Sequence, residues 1–473
     1  MAAQQAGERK LKLSFHGADR GVTGSCHLVE CCGRRILIDC GLYQGGREAE
    51  QENAKPFGFD PARIDYVLLT HAHLDHCGRL PLLFKRGFRG EIIATSATGE
   101  LARLVMVDAA HLQEEEARRL ALRSKNHRRH SLPDTPLYSV LDAFNVLGLF
   151  GRAAIYNEAT EIVPGIRVTF LDAGHILGSA SILLELDEQG RRRSVLFSGD
   201  IGNAGRPLLR NPVTPKQADV VIMETTYGDR LHKPFTSSVD ELYQAINDTF
   251  RRGGNAIIPT FALERAQEIL FFLREGIEKG VLPRAMQVFL DSPMAISATE
   301  IFEHHPECYD PEVAELFSEG RDPFHLPGLH FTRETSDSEA INHIAGGAII
   351  VAGAGMCNGG RVQHHLKKNL GRADSSVIFV GYAATGTLAR HLIEGEREVR
   401  IHGEEILAQA RIYTINGFSA HADQAELLTW HNQIGGVERT ILVHGEEQAM
   451  MQFSRLLPDV RVEMPAKGEV LEL

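Results

Sequence analysis

Apolar positions in the first half of the chain come in short runs, alternating or continuous, each closed by turn residues. LKLSF, CHLVEC and RRILIDCG open the series, and 64–70 (IDYVLLT), 91–95 (EIIAT), 166–173 (IRVTFLDA), 180–186 (ASILLEL), 194–199 (SVLFSG) and 220–226 (VVIMETT) continue it. Runs this short, with a period near two, predict β-strands. One stretch of helical period, 99–122, interrupts them. From about 229 the pattern becomes four strand-then-helix units: NAIIPTFALERAQEILFFLREGIEKG, MQVFLDSPMAISATEIFEHH, GAIIVAGAGMCNGGRVQHHLKKNL and SVIFVGYAATGTLARHLIEGE. Continuous apolar strands alternating with helices predict a parallel sheet covered on both faces, a separate α/β domain. After about 415, RIYTINGFSAHAD, a helical stretch ending in LLTWHNQI, RTILVHGEEQAM and RVEMPAKGEVLEL return to the earlier style. The simplest organisation is one domain split in sequence, 1–228 plus 416–473, with 229–415 inserted into it.

Composition narrows the function. The 473 residues are 43% hydrophobic and 24% charged, which is ordinary for a globular protein. The formal charge of −12 disfavours a protein that coats nucleic acid by bulk potential, without excluding a local basic track. Seven cysteines, an odd number with no C-x-x-C pair, argue against a disulfide framework or thiolate zinc finger and for a reducing compartment. The N-terminus carries no apolar signal segment, and the longest apolar stretches, such as 346–356, are too short and Gly-rich to span a bilayer. The expected location is the cytoplasm, with no membrane partner.

Several predicted strands share a feature: the apolar run ends and an ionisable residue follows at once. Asp39, His71, Asp200, Glu224 and His444 all stand this way. Beyond the carboxyl ends of strands the backbone is rigid while side chains are free of the sheet, so such ends together make a site. The sharpest local signal is His71-Ala-His73-Leu-Asp75-His76. Imidazole nitrogens and carboxylate oxygens bind metals at about 2 Å, and a loop turning within this motif can serve two adjacent ions. His175 in AGHILGSA and Asp200 in FSGDIGN complete a set. One ion would take His71, His73 and His175, the other Asp75, His76 and His444, with Asp200 bridging. An all-N/O set without thiolate suits two Zn2+, with Mn2+ or iron open on geometry alone.

This arrangement resembles the metallo-β-lactamase superfamily along the whole chain. Asp39, the 71–76 motif, His175, Asp200 and His444 match that family's five motifs in order. The long interval from Asp200 to His444, with Glu224 in METTYGDR and His421 in GFSAHAD, resembles the β-CASP nucleases, and most nearly the bacterial homologues of the pre-mRNA 3′-end cleavage endonuclease subunit. The resemblance implies an αββα sandwich with an inserted parallel-sheet α/β domain. It implies a zinc-dependent ribonuclease, endonucleolytic with 5′ to 3′ exonuclease activity also open, acting on single-stranded RNA. His at motif C, here His444, is the RNA-acting pattern. The proton donor to the leaving ribose oxygen falls to His421, held by Glu224. Asp39 is read as an outer residue orienting His71 or Asp75. Relatives often dimerise, so a homodimer is open, though no segment announces an interface.

The inserted domain is expected to close over the site and present Gly-rich strand-to-helix turns, with Ser292, Asn358, Arg361 and Thr385 as phosphate contacts. A small-molecule hydrolase such as a lactonase or thioesterase, a DNA nuclease and a non-catalytic RNA-binding subunit are the rival readings. The insertion and His421 oppose the first; the intact ligand set opposes the last.

Residues 117–130, ARRLALRSKNHRRH, hold six Lys or Arg and no acid. The bland reading is a solvated loop; the alternative is an RNA backbone contact through Arg128 and Arg129. If the contact exists, replacing both by Glu weakens RNA affinity and flattens its salt dependence. Unchanged binding across several salt concentrations would remove it.

Overall fold

A computed structural model describes residues 11–124, 135–381, 383–384 and 386–473. The chain forms two compact units, one of 1–205, 211–231 and 421–473, the other of 206–210 and 232–420. The sequence-based divisions at 228 and 415 lie a few residues from these crossings.

The first unit is built on two seven-stranded sheets. In order across the first sheet lie Val470–Glu472, Lys12–Phe15, His27–Cys31, Arg34–Ile38, Tyr66–Leu68, Glu91–Thr95 and Phe150–Ala154. Across the second lie Arg461–Glu463, Arg439–Val443, Val220–Glu224, Arg191–Phe197, Ala180–Glu188, Ile166–Asp172 and Thr160–Val163. The antiparallel part of each sheet follows from hairpin-length connections, and the parallel part from helical crossovers such as Ser96–Ser124.

Side-chain alternation explains why the sheets stack. Phe15, Val29, Ile36, Ile38 and Leu68 of the first sheet share one core with Phe170, Leu184, Val195, Phe197, Ile222 and Val443 of the second. Their sequence neighbours Leu196, Val221, Met223 and Leu442 point the other way, onto Leu427 and Trp430 of helix Gln424–Asn432 and Met450 and Phe453 of helix Glu447–Ser454. Leu82, Ala110, Tyr138 and Ala143 form a further core among helices Leu80–Lys85, Ser96–Ser124 and Val140–Leu147. The result is the αββα sandwich expected of the first domain.

The second unit holds a six-stranded, wholly parallel sheet in the order Leu329–Phe331, Gln287–Asp291, Ala348–Ala352, Ala256–Pro259, Ser376–Phe379 and Arg411–Thr414. Its central strands AIIVA, AIIP and SVIF are buried at every position, as a sheet covered on both faces requires. Five strands escaped the sequence pattern: Phe150–Ala154, Thr160–Val163, Leu329–Phe331, and Glu398–Ile401 with Glu404–Leu407, which pair antiparallel as a two-stranded sheet. Each is a sheet edge. Arg411–Thr414, read as the opening strand of the returning segment, belongs instead to the parallel sheet of the second unit, as an edge strand paired with Ser376–Phe379. No helix among the described residues is long and apolar enough to cross a membrane.

Phe170 is 2% exposed between the sheets, and its replacement by Ala is expected to cost about 3–5 kcal/mol. Leu112→Ala, at a position 59% exposed, should change stability by less than about 0.5 kcal/mol. Urea unfolding followed through Trp430, the only tryptophan and part of this unit's core, measures both. Similar shifts for the two variants would contradict the inter-sheet packing.

Candidate metal centre

The functional side chains of the first unit stand just beyond strand ends. Arg34–Ile38 leads into Asp39, Tyr66–Leu68 into Thr70 and His71, Arg191–Phe197 into Asp200, and Arg439–Val443 into His444, while Val220–Glu224 ends on Glu224 itself. Asp39 and His444 adopt left-handed backbone (φ 61° and 47°), a conformation that turns the chain sharply and that few residues other than glycine adopt. His73 precedes the one-turn helix Leu74–Cys77, which carries Asp75 and His76. Two glycines let these loops approach: a Cβ on Gly41 would lie 1.5 Å from the Asp75 carbonyl oxygen, and one on Gly202 would lie 1.7 Å from that of Gly174.

The seven proposed ligands gather into two groups. His73 Nδ1 lies 3.1 Å from His71 Nε2 and 3.2 Å from His175 Nε2. Asp200 Oδ2 stands 3.4 and 3.5 Å from those same Nε2 atoms. In the second group His444 Nε2 is 3.3 Å from His76 Nε2 and 3.5 Å from Asp75 Oδ2. Asp200 Oδ1 lies 3.3 Å from His76 Nε2. The two oxygens of one carboxylate therefore face different groups.

These residues fit a divalent cation. Imidazole nitrogens 3.1 to 3.3 Å apart cannot both direct N–H groups at one another, so each contact presents at least one lone pair. Asp200 Oδ1 is buried without a hydrogen-bond donor, a costly situation that a cation relieves. Burial pushes His71 well below the usual imidazole range, helped by His76, and takes His73 to about 4, which keeps both neutral as ligands must be. Burial opposes charge on Asp200 too, but His444, His76 and His71 outweigh it and hold the carboxyl well below its ordinary value. For His76 burial is outweighed by the Asp200 and Asp39 carboxylates, which raise it.

A surrounding shell fixes the ring orientations. Asp39 Oδ2 accepts from His76 Nδ1 at 2.7 Å, and its carboxylate accepts from the Thr70 amide and hydroxyl. Thr70 Oγ1 in turn lies 3.1 Å from His71 Nδ1. This corrects the expectation that Asp39 orients His71 or Asp75 directly: its contact is His76, and it reaches His71 only through Thr70. Thr226 Oγ1 lies 3.1 Å from His444 Nδ1. Thr70 and Thr226 were not singled out in the sequence, although each follows an apolar strand and stands within two residues of a flagged one.

His421 Nδ1 lies 3.2 Å from Glu224 Oε1 and 3.9 Å from Asp200 Oδ2, and its ring lies against that of His175, 4.6 Å between centroids. Glu224 is fully buried and accepts from the Ile201 and Thr226 amides. Burial disfavours charge on His421, but the Glu224 carboxylate, then Asp200 and Asp75, prevail and raise it to about 9.

The expected phosphate contacts are engaged within the second unit. Ser292 Oγ caps helix Pro293–Glu303, and Asn358 Oδ1 accepts from the Leu388 amide. Arg361 binds Asp291 at 2.8 Å and the Thr332 and Arg333 carbonyls. Thr385, Arg128 and Arg129 lie outside the described residues.

The metallo-beta-lactamase superfamily model matches residues 19–260, the Beta-Casp domain model 266–392, and the Zn-dependent metallo-hydrolase RNA specificity domain model 405–465. A ribonuclease of Thermus thermophilus is 41% identical, covering 94% of this chain and 96% of its own. An RNase J-like protein of Methanocaldococcus jannaschii is 30% identical over 98% of this chain and 99% of its own. Transcription termination factor FttA of Methanosarcina mazei is 32% identical over 94% of this chain and 68% of its own. A solved protein of unknown function from Enterococcus faecalis shares the fold at a TM-score of 0.55 and 12% identity, covering 98% of this chain and all of that one. Sandwich and ligand set define a metal-dependent hydrolase. Within that class, the chain belongs to the β-CASP ribonuclease subfamily of the metallo-β-lactamase superfamily.

Because Asp39 anchors both His76 and Thr70, Asp39→Ala should weaken divalent-metal affinity roughly 10- to 100-fold. Equilibrium dialysis with elemental analysis reads this. Wild-type affinity in the variant would deny Asp39 the role.

Proposed function

We propose that the chain is a ribonuclease that hydrolyses single-stranded RNA with two Zn2+ ions, Mn2+ being the alternative pair. The observation that carries this reading is the His421–Glu224 pair beside the seven-residue N/O set. His71, His73 and His175 would hold one ion, Asp75, His76 and His444 the other, with Asp200 spanning both. Bound there, such ions supply Lewis-acid polarisation of a phosphate oxygen and a more acidic water.

The chain's own residues account for the other half of the reaction. Water adds to phosphorus and the P–O3′ bond breaks, leaving a 5′-phosphate and a ribose 3′-hydroxyl. The departing 3′-oxygen is a poor leaving group and needs a proton. His421, held as imidazolium by the Glu224 carboxylate, gives it, and Glu224 positions the ring by accepting at Nδ1. An acyl hydrolase has less need of such a donor, which favours the phosphodiester reading. Both endonucleolytic and 5′ to 3′ exonucleolytic action are consistent with this chemistry. The division of the chain into 1–228 plus 416–473 with 229–415 inserted belongs to the same proposal. So does a cytoplasmic location, which the lack of a disulfide among the described residues supports.

End-labelled single-stranded RNA and DNA incubated with wild type and with His76→Ala test the activity. RNA cleavage by wild type alone is expected; cleavage of neither polymer, or equal cleavage by the variant, overturns the reading. His421→Ala is expected to lose roughly 10²- to 10⁴-fold on RNA. On bis(p-nitrophenyl) phosphate, whose leaving group needs no proton, it should lose far less, with metal content unchanged. Equal losses on both substrates would end the proton-donor assignment.

A further inference from the structure

The hairpin between strands His27–Cys31 and Arg34–Ile38 carries a cysteine pair that the metal centre does not use. Cys31 pairs with Arg34 across the hairpin, leaving Cys32 and Gly33 as a two-residue turn. Both turn residues have positive φ, 52° and 72°. In such turns Asn, Asp or Gly takes the first position because a side chain with left-handed backbone is strained. Cysteine is an unexpected choice there, and the geometry shows what it achieves. Cys32 Sγ is brought to 3.4 Å from Cys31 Sγ and 3.3 Å from the Asp187 carbonyl oxygen.

A carboxylate completes the cluster from the opposite sheet. Glu188, at the end of strand Ala180–Glu188, is 6% exposed and accepts from the Cys32 amide. Among the described residues no Lys, Arg or His forms an ion pair with it, which is rare for a buried acid. One ligand atom from each of Cys31, Cys32 and Glu188 lies within 4.8 Å of the others. Gly165 is what admits the sulfur: a Cβ there would stand 2.9 Å from Cys32 Sγ.

We propose that Cys31, Cys32 and Glu188 form a second metal site, for a thiophilic divalent cation such as Zn2+ or Cd2+, that staples the two sheets of the sandwich together. At a Zn–S length of about 2.3 Å a tetrahedral angle separates two sulfurs by about 3.8 Å, close to the spacing found. Two thiolates and one carboxylate neutralise the ion with one negative charge to spare, and the partly exposed Cys32 leaves a fourth position for water. Binding releases the two thiol protons to solvent; burial raises both thiols, so occupancy rises with pH. The site is structural. Strand Arg34–Ile38 starts at this hairpin and ends at Asp39, so about 17 Å of strand separates the cysteines from the catalytic set.

The two sites differ in a way that can be measured, because the catalytic set contains no thiolate. Titrating the full chain with Cd2+ should produce an ultraviolet thiolate-to-cadmium charge-transfer band that saturates at one cysteine-bound ion per chain. Cys31→Ser/Cys32→Ser should abolish the band and leave RNA cleavage unchanged. Glu188→Gln, which keeps both sulfurs, should weaken Cd2+ affinity tenfold or more. Should the double variant fail to fold, Cys32→Ser alone, at the more exposed position, serves in its place and should lose the band. No band in wild type, the same band in the cysteine variants, or unaltered affinity in Glu188→Gln would overturn the site. None of the three results that would overturn the site depends on the nature of the catalysed reaction.

Discussion

A carboxylate held out of water among imidazoles is the interaction around which the first unit is organised. Asp200 is 2% exposed, its two oxygens face different histidine groups, and one of them has no hydrogen-bond donor. Taking an ion out of water costs several kcal/mol even after relaxation, so the arrangement persists only if its surroundings cannot relax away from it. The frame that prevents relaxation is the sandwich. Asp200 continues a strand whose Val195 and Phe197 are locked in the inter-sheet core and whose Leu196 is locked beneath the outer helices. The same alternation fixes Val220–Glu224 and Arg439–Val443, so Glu224 and His444 emerge at defined heights.

Rigid strands alone do not aim the rings. Each imidazole must present one nitrogen to the centre, which requires that the other be claimed elsewhere. Asp39 claims Nδ1 of His76, Thr70 that of His71, and Thr226 that of His444. The left-handed backbone at Asp39 and His444 is the cost of turning off a strand within one residue, of order 1–3 kcal/mol each. Close packing of Gly41 on Asp75 and of Gly202 on Gly174 holds the loops in register with those strands.

How much of this was legible in the sequence depended on burial. Strands inside the sheets announced themselves, because each has at least one face that must be apolar; the five that did not, Phe150–Ala154, Thr160–Val163, Leu329–Phe331, Glu398–Ile401 and Glu404–Leu407, are sheet edges, and most of their residues are exposed or half-buried. Edge strands pair on one side only and need no repeating pattern. The candidate ligands stood out because His and Asp directly after an apolar run have little to do in a core. Thr70 and Thr226 were hidden by the same logic, since threonine is at home in any strand. Asp39 was found but given the wrong partner, because choosing between His71 and His76 requires the turn of helix Leu74–Cys77. For Ser292, Asn358 and Arg361 the residue types were right for phosphate, yet each has a partner within its own unit.

The acidic balance of the chain takes on a different meaning beside the site. Asp39, Asp75, Asp200 and Glu224 place four carboxyl groups in and around one buried centre. Neighbouring imidazoles lower Asp75 and Asp200 further, so both remain anionic near neutral pH. A phosphodiester brought to such a centre meets negative charge in low dielectric, where repulsion is strongest. His76 and His421, even both as imidazolium, offset only part of that charge. Divalent cations held by the seven proposed ligands would therefore be needed before any chemistry, simply to let an anionic strand approach. The same charges that would repel RNA are those that would retain the cations, so affinity for metal and tolerance of a polyanion would rest on one set of side chains. The −12 formal charge is thus compatible with an RNA substrate, because the potential that the substrate meets is set locally and not by the exterior.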